Sequence, residues 1–382
     1  MSCEIIMRIP SQQSIVYPIK IGTDLLRNLE NYLPDDCSDK KIVIITDDQV
    51  YSLYSDALKN AFATFNPLCL TFPAGEKSKN NHTKQSLEQE MISNHCDRDT
   101  LIIALGGGVV GDIAGFIAST YLRGITYIQI PTTLLAMVDS SVGGKTGINT
   151  AEGKNLIGAF WQPKNVIADI HCLLSLSKEQ LINGLIEALK MFLTSNEKSF
   201  YYATHHISDI LTKNISVLTR IVRDSIKIKV AVVSADEKEN NQRMILNFGH
   251  TIGHAIEKIM GYEILHGYAV GFGILVEAKI SQLLGILSFE DYQLIQTIFS
   301  TLCITGDQLK KLDPLKIIQA TKNDKKVKEN AVRYVLLKKI GQVFVENGNY
   351  AHAISDEIVK QALLEVSEKK YYENSVESGG SR

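Results

Sequence analysis

Short, continuous apolar runs alternate with amphipathic segments through the first half of the chain. KIVIITDD, LCLTFPAG, TLIIALGGG, ITYIQIPTT and NVIADI have strand length and little polar alternation, the pattern of strands buried on both faces. Between them, YSLYSDALKNAFATF and NHTKQSLEQEMISNH repeat their apolar positions at helical spacing. Strand and helix in alternation predict a mostly parallel sheet covered on both faces, with ligands bound at the carboxyl ends of the strands. From about Ser177 the runs lengthen into KEQLINGLIEALKMFL, ISVLTRIVRDSIKIKVAVV, HTIGHAIE and YAVGFGILVEAKISQLLG, which predict a second, mainly helical half. A strand-like pair, AVRYVLLKKIGQVFVE, and the helix DEIVKQALLEVSEKK close it.

The expected division is therefore an α/β domain over 1–175, a mainly α-helical domain over 176–368, and a polar, frayed tail over 369–382. A chain of 382 residues that is 45% hydrophobic can bury two moderate cores. Its net charge of −2 supplies no basic field, so nucleic acid is not an expected partner and small anions must be met by local lysines. Six cysteines without C-x-x-C spacing argue against both a disulfide framework and a cysteine-bound metal. The N-terminus carries no signal-peptide pattern and no apolar run approaches membrane-spanning length, so a soluble cytoplasmic protein without a membrane partner is expected.

Two segments carry chemistry. After the strand TLIIAL, Gly106-Gly107-Gly108-Val109-Val110-Gly111-Asp112 satisfies G-x-G-x-x-G and opens a helix, a geometry that exposes backbone N–H groups to a pyrophosphate. The acid that a dinucleotide fingerprint expects about twenty residues later is absent from TYIQIPTT. The nearest acids, Asp47 and Asp48, end an earlier strand. A tight turn needed only for packing fits the glycines equally. The following stretch, PTTLLAMVDSSVGGKTGINTAEGKN, gathers Thr132, Thr133, Asp139, Lys145, Lys154 and Asn155 among small-residue turns, as suits a phosphate site.

In RMILNFGHTIGH, Arg243, Asn247, His250 and His254 fall at helical spacing, so one helix face could bring Asn247, His250 and His254 onto a single ion or anion. Thr251 stands where a zinc protease needs the glutamate of H-E-x-x-H, which removes that reading. Polar residues on an exposed helix are the plain alternative, but the run is largely apolar, and buried polar groups without partners are costly. His266 follows in the next segment. Two imidazoles with a carboxylate would leave zinc one open position. Spacing alone does not say which histidines bind.

Taken together, GGGVVGDIAGFIASTYLRG, IPTTLLAMVDSSVGGKTGIN, GKNLIGAFWQP, GLIEALK and LNFGHTIGHAIE closely resemble the 3-dehydroquinate synthase family, in order and over nearly the whole chain. The resemblance implies an α/β nucleotide-binding domain followed by a mainly α-helical metal-binding domain, a fold shared with glycerol and iron-dependent alcohol dehydrogenases. It implies conversion of 3-deoxy-D-arabino-heptulosonate 7-phosphate to 3-dehydroquinate and phosphate by transient oxidation, phosphate elimination, reduction, ring opening and aldol closure, with NAD reused in each turnover. Zinc, or cobalt in its place, is implied on Glu187, His250 and His266. NAD contacts are implied at Asp47, Glu76, Lys79, Gly107, Gly108, Val109, Asp112, Thr132 and Thr133, with Lys145 and Lys154 beside them. Asp47 on the earlier strand then supplies the missing acid.

Substrate-side positions implied in the same way are Asp139, Lys145, Asn155, Lys190, Lys229, Arg243, Asn247 and His254. Lys229 and Arg243 resemble a carboxylate clamp; Lys145, Asn155 and Asn247 resemble phosphate ligands. Without the resemblance, Glu187 and Lys190 in GLIEALK would read as a surface ion pair. Arg123 matches an arginine that reaches the neighbouring subunit's phosphate site, which implies a homodimer. The loop at Asn323 to Lys326 resembles one that brings a lysine, Lys325 or Lys326, to the substrate. One departure stands out: the family's H-G-E-A-V is His266-Gly267-Tyr268-Ala269-Val270 here, which puts in question what orients His266. Rivals of the same fold are sugar phosphate cyclases that act on substrates without a carboxylate, and metal-dependent alcohol dehydrogenases that release NADH. A nucleotide-binding scaffold without catalysis is the rival from another class.

Overall fold

The computed structural model describes residues 15–33, 37, 40–62, 65–239, 241–322 and 332–368. The expected lysine loop with Lys325 and Lys326, and the tail 369–382, lie outside these residues. The chain forms two compact units, one from Met1–Lys20, Leu25–Ile130 and Gly144–Ala168, the other from Ile21–Asp24, Pro131–Gly143 and Asp169–Arg382. A single cut at Ser175 does not describe this division. Segment 131–143 goes with the second unit because its π-helical turn, Ala136–Ser140, packs on two helices of that unit, 178–195 and 215–235.

The first unit is built on β1 (Ile19–Gly22), β2 (Ile42–Asp47), β3 (Leu68–Phe72), β4 (Leu101–Gly106) and β5 (Thr126–Pro131). Further on come the strands β6 (Lys145–Ile148), β7 (Ile157–Phe160) and β8 (Asn165–Asp169), while α1 (Asp48–Ala61), α2 (Asn81–Ser93) and α3 (Gly108–Thr120) are its helices. A six-stranded sheet runs in the order β1-β8-β5-β4-β2-β3. The pairs β2–β3, β2–β4 and β5–β8 are parallel. β2, β4 and β8 are buried along nearly their whole length, which is why they read as unbroken apolar runs. One face packs Val43, Ile45, Ile102 and Ala104 against Leu87 and Met91 of α2 and Ile113 and Ile117 of α3.

β2 has β3 on one side and β4 on the other, so the strand order reverses there and leaves Asp47 and Gly106 at neighbouring carboxyl ends. Helix α3 crosses the hairpin of β6 and β7 closely: a Cβ on Gly115 would lie 2.5 Å from Thr146 Cγ2. A larger residue at Gly115 would therefore crowd Thr146 of β6 and the Tyr127 ring.

The second unit contains α4 (Lys178–Ser195), α5 (Glu197–His205), α6 (Ile207–Leu211), α7 (Ile215–Ala235), α8 (His250–Ile259) and α9 (His266–Leu283). It continues through α10 (Phe289–Thr301), α11 (Pro314–Lys322), a short antiparallel hairpin near 337–343, and α12 (Asp356–Glu368). α9 is buried on all sides from Ala269 to Ser281, as its lack of a polar stripe requires, and α4, α8, α10 and α12 pack around it. Ser177 caps α4 by accepting the Gln180 N–H, which starts the helix in the register that turns Glu187 inward. α8 and α9 meet backbone to backbone: a Cβ on Gly273 would lie 1.8 Å from the Gly249 carbonyl oxygen. Among the described residues no helix is long and apolar enough to cross a membrane, and Cys37, Cys69, Cys96, Cys172 and Cys303 are free thiols.

Candidate active site

Three helices of the second unit bring one ligand-type side chain each to a common point. Glu187 lies midway along α4, and His250 and His266 open α8 and α9. Glu187 is fully buried, and its Oε1 lies 3.7 Å from His250 Nε2 and 3.6 Å from His266 Nε2. That oxygen has no hydrogen-bond partner, although its sister Oε2 takes the Lys190 ammonium at 2.5 Å. A buried carboxylate oxygen left bare between two imidazole nitrogens is costly unless a cation completes it. Two nitrogens and one oxygen at this spacing fit zinc or cobalt with a position left open. His254 lies beside the group, with ring centroids 5.3 Å from His250 and 5.9 Å from His266.

A chain of charges leads away from these residues within the same unit. Lys229 donates to the Asp139 carboxylate at 2.7 Å and also to its main-chain carbonyl. Burial acts to raise the Asp139 carboxyl, but the Lys229 and Lys190 ammoniums and the direct Lys229 hydrogen bond overcome it and hold the group well below the usual carboxylate range. Burial pushes the Lys229 ammonium down; Asp139 opposes this, while Arg243 and Lys190 add to it. Arg243, 2% exposed, reaches the Glu237 and Gly143 carbonyls. Gly143 is required at φ +103°, where a side chain would strike the guanidinium. Three cationic side chains thus crowd around one aspartate, an arrangement suited to an anionic ligand.

The first unit holds a separate group. Gly107 precedes α3 without any side-chain cap, leaving the first N–H groups of that helix open to an anion at the end of β4. Gly111 packs against the Gln129 amide, whose Oε1 a Cβ would meet at 2.6 Å. Asp112 of α3 pairs with the buried Lys79, and Glu76 accepts from Asn149 Nδ2 at 2.7 Å. Asn149 also accepts the main-chain N–H of Asn155 at 3.0 Å, joining the two loops. Asp47 caps α1 by accepting the Val50 N–H at 2.8 Å, and burial raises its carboxyl pKa. This set fits a dinucleotide: uncapped amides for the pyrophosphate and an acid on the neighbouring strand end for a ribose.

The sequence expectations meet this geometry unevenly. The structure brings Glu187, Lys190, His250, His254 and His266 together, and links Asp139, Lys190, Lys229 and Arg243 electrostatically. Arg123, Lys145, Lys154, Asn155 and the glycine loop with Val109 belong to the first unit, whereas Thr132 and Thr133 belong to the second. Arg123 is exposed on a turn where it and Leu122 both have positive φ, with Trp161 packed against Gly124.

The continuous helix through Asn247, His250 and His254 does not form. A 3-10 turn, Gln242–Asn247, ends at Phe248, and Gly249 at φ +79° re-aims the chain before α8. The Gly249 N–H is held by the buried Glu277 at 2.8 Å, a partner on α9 that local periodicity does not reveal. Asn247 donates to Glu239 at 2.5 Å. Sequence reasoning also passed over Glu257, whose Oε2 lies 3.3 Å from His266 Nδ1. Its position two turns after His250 on α8 was the available signal. Burial raises the Tyr268 phenol pKa, and the Glu179 carboxylate adds to this.

Comparison with known proteins places the chain in a family. The family model described as 3-dehydroquinate synthase N-terminal matches residues 69–183, and that described as 3-dehydroquinate synthase C-terminal matches residues 184–327. The chain belongs to the 3-dehydroquinate synthase family. Within this family the enzyme of Thermoanaerobacter pseudethanolicus is 43% identical over 337 residues, covering 86% of this chain and 93% of the relative. That of Nitrosomonas europaea is 41% identical over 331 residues, covering 85% and 89%. A 2-deoxy-scyllo-inosose synthase solved with carbaglucose-6-phosphate, NAD+ and Co2+ superposes with a TM-score of 0.84 at 28% identity, covering 91% of this chain and 96% of that one.

Proposed function

We propose that this member of the 3-dehydroquinate synthase family converts 3-deoxy-D-arabino-heptulosonate 7-phosphate to 3-dehydroquinate and phosphate, as a phosphorus–oxygen lyase of the second step of the shikimate pathway. The observation that carries the metal-dependent part is the bare Glu187 oxygen facing His250 and His266. When bound, NAD would accept and return a hydride and zinc or cobalt would stabilise charge on the substrate's hydroxyl oxygens. Glu187, His250 and His266 would hold the metal, and Asp47, Glu76, Lys79, Gly107, Gly108, Val109, Asp112, Thr132 and Thr133, with Lys145 and Lys154, the dinucleotide.

The remaining work of the chain is placement of charge. Lys229 and Arg243 are fixed before substrate arrives, Lys229 by Asp139 and Arg243 by two main-chain carbonyls. Their charge is therefore available to a substrate carboxylate with little reorganisation. Lys190 neutralises the Glu187 oxygen that faces away from the histidines and so lets the other carry its negative charge toward a cation. Asn247, Lys145 and Asn155 would hold the phosphate, with His254 beside the reacting hydroxyls. Arg123 on its exposed turn would act on the phosphate of a second copy, making the cytoplasmic enzyme a homodimer; sedimentation at equilibrium giving a monomer would remove that role.

The test is phosphate release from the heptulosonate phosphate by zinc-loaded protein with catalytic NAD. Chelator-sensitive release without accumulation of NADH is expected. Steady NADH formation would indicate an alcohol dehydrogenase, and release from a sugar phosphate lacking a carboxylate, with none from the heptulosonate, would indicate another cyclase.

A further inference from the structure

We infer that Glu257 is the positioning residue of His266, the carboxylate that fixes which imidazole nitrogen faces the metal. The inference rests on the reading of Glu187, His250 and His266 as metal ligands. The His266 ring is addressed from two sides: Nε2 lies 3.6 Å from Glu187 Oε1, and Nδ1 lies 3.3 Å from Glu257 Oε2. Glu257 is 1% exposed, so its charge is placed there by the fold and not by solvent. With Nδ1–H donating to that carboxylate, the lone pair of Nε2 is the one offered toward Glu187.

His250 is arranged the same way by a different acceptor. Its Nδ1 lies 3.3 Å from the Phe248 carbonyl while its Nε2 faces Glu187. Both histidines therefore present the same nitrogen, one oriented by main chain and one by Glu257. The logic of the helices explains the division. His250 is tied to its own turn, whereas His266 opens α9 after a loop and takes its orientation from α8, which carries both His250 and Glu257. The residue that departs from the family pattern, Tyr268, supplies no carboxylate, so the orienting charge at His266 comes from α8.

A different use of the same atoms is a second ion held by His254, Glu257 and His266, whose ligand atoms also lie within 4.8 Å of one another. A Glu257 acting as ligand would change the number of ions bound, whereas a positioning Glu257 changes only how tightly one is held.

The experiment is a Co2+ titration of the metal-free full-length chain, followed by visible absorption and by competition with a chelator, for the parent and for Glu257→Gln, Glu257→Asp and Glu257→Ala. Gln is expected to weaken cobalt binding by about 10- to 100-fold and to shift the d–d bands at one ion per chain, with Asp recovering part of both. Parental affinity and spectrum in Gln and Ala would overturn the inference, as would two ions in the parent with one lost in Ala. Should Ala fail to fold by circular dichroism, the isosteric Gln decides. Parent protein that binds no cobalt, or Glu187→Ala and His250→Ala variants that bind it as the parent does, would instead overturn the metal reading itself.

Discussion

Replacing Gly273 by alanine should disturb Glu187, His250 and His266, the proposed metal ligands, without touching any of them. The new Cβ would stand 1.8 Å from the Gly249 carbonyl oxygen, 2.7 Å from its carbon and 2.9 Å from the Gly253 nitrogen, all main-chain atoms. Ordinary contact needs about 3.5 Å, so α8 and α9 must part by roughly 1.7 Å at this point. Overpacking of that kind costs about 1–3 kcal/mol. It also carries His250, the residue after Gly249, relative to Glu187 on α4. A zinc–nitrogen bond tolerates only a few tenths of an ångström around about 2.0 Å, so cobalt affinity should fall at least tenfold.

Gly271→Ala is the matched control. Its Cβ would meet the Ile304 Cδ1 at 2.4 Å, the tip of a side chain that can rotate, with no main-chain atom among its near neighbours. Thermal unfolding of the metal-free proteins should place Gly273→Ala several degrees below the parent, at about 2–4 °C per kcal/mol, and Gly271→Ala within about 3 °C of it. Cobalt titration should separate them further. If Gly273→Ala matches Gly271→Ala in both unfolding temperature and cobalt affinity, the helices are not locked through their main chains and the reasoning fails.

Asp47→Asn keeps the cap on α1 while removing the charge, so it should weaken NAD binding at unchanged unfolding temperature; Asp47→Ala should lose both, including about 1 kcal/mol of stability. Calorimetric titration with NAD separates them, and equal affinity in all three proteins would remove Asp47 from the ribose site. For Lys229, burial, Arg243 and Lys190 lower the ammonium against the pull of Asp139, so its charge is present below that lowered value and lost as pH rises through it. The alkaline limb of kcat/KM for phosphate release should accordingly fall below the ordinary lysine value of about 10.4, and Lys229→Gln should abolish the limb along with most activity. A limb unchanged in that variant would assign it elsewhere. Stability runs the other way: a value lower in the folded chain than in the unfolded one makes this group more favourable to folding as pH rises toward 10.4.

Much of the first unit could be read from the chain because its information is local. The runs that became β2, β4 and β8 are apolar at nearly every position, and a strand buried on both faces has no other way to look. The uncapped start of α3 was legible from its glycines for the same reason. The group of Glu187, His250 and His266 was legible only through the family resemblance, not from spacing. Its members sit on three helices, and the chain bends at Phe248 and Gly249 because of Glu277, a residue on a different element. A helix drawn straight through Asn247 and His254 is what periodicity predicts when that distant acceptor is unknown. Glu257 was the opposite case, two turns from His250 on one face and recoverable from spacing alone. Lys190 reads as a surface partner of Glu187 by spacing, whereas burial at 1% exposure makes it an internal counter-charge.

Segment 131–143 belongs to the second unit although residues of the first precede and follow it. The two units are therefore not modules that recombination could exchange at a single crossover. A fragment starting at residue 176 would keep Glu187, His250 and His266 but lose Asp139, leaving Lys229 buried among Arg243 and Lys190 with no carboxylate to answer it. The second unit therefore cannot be transferred whole without a stretch encoded inside the first.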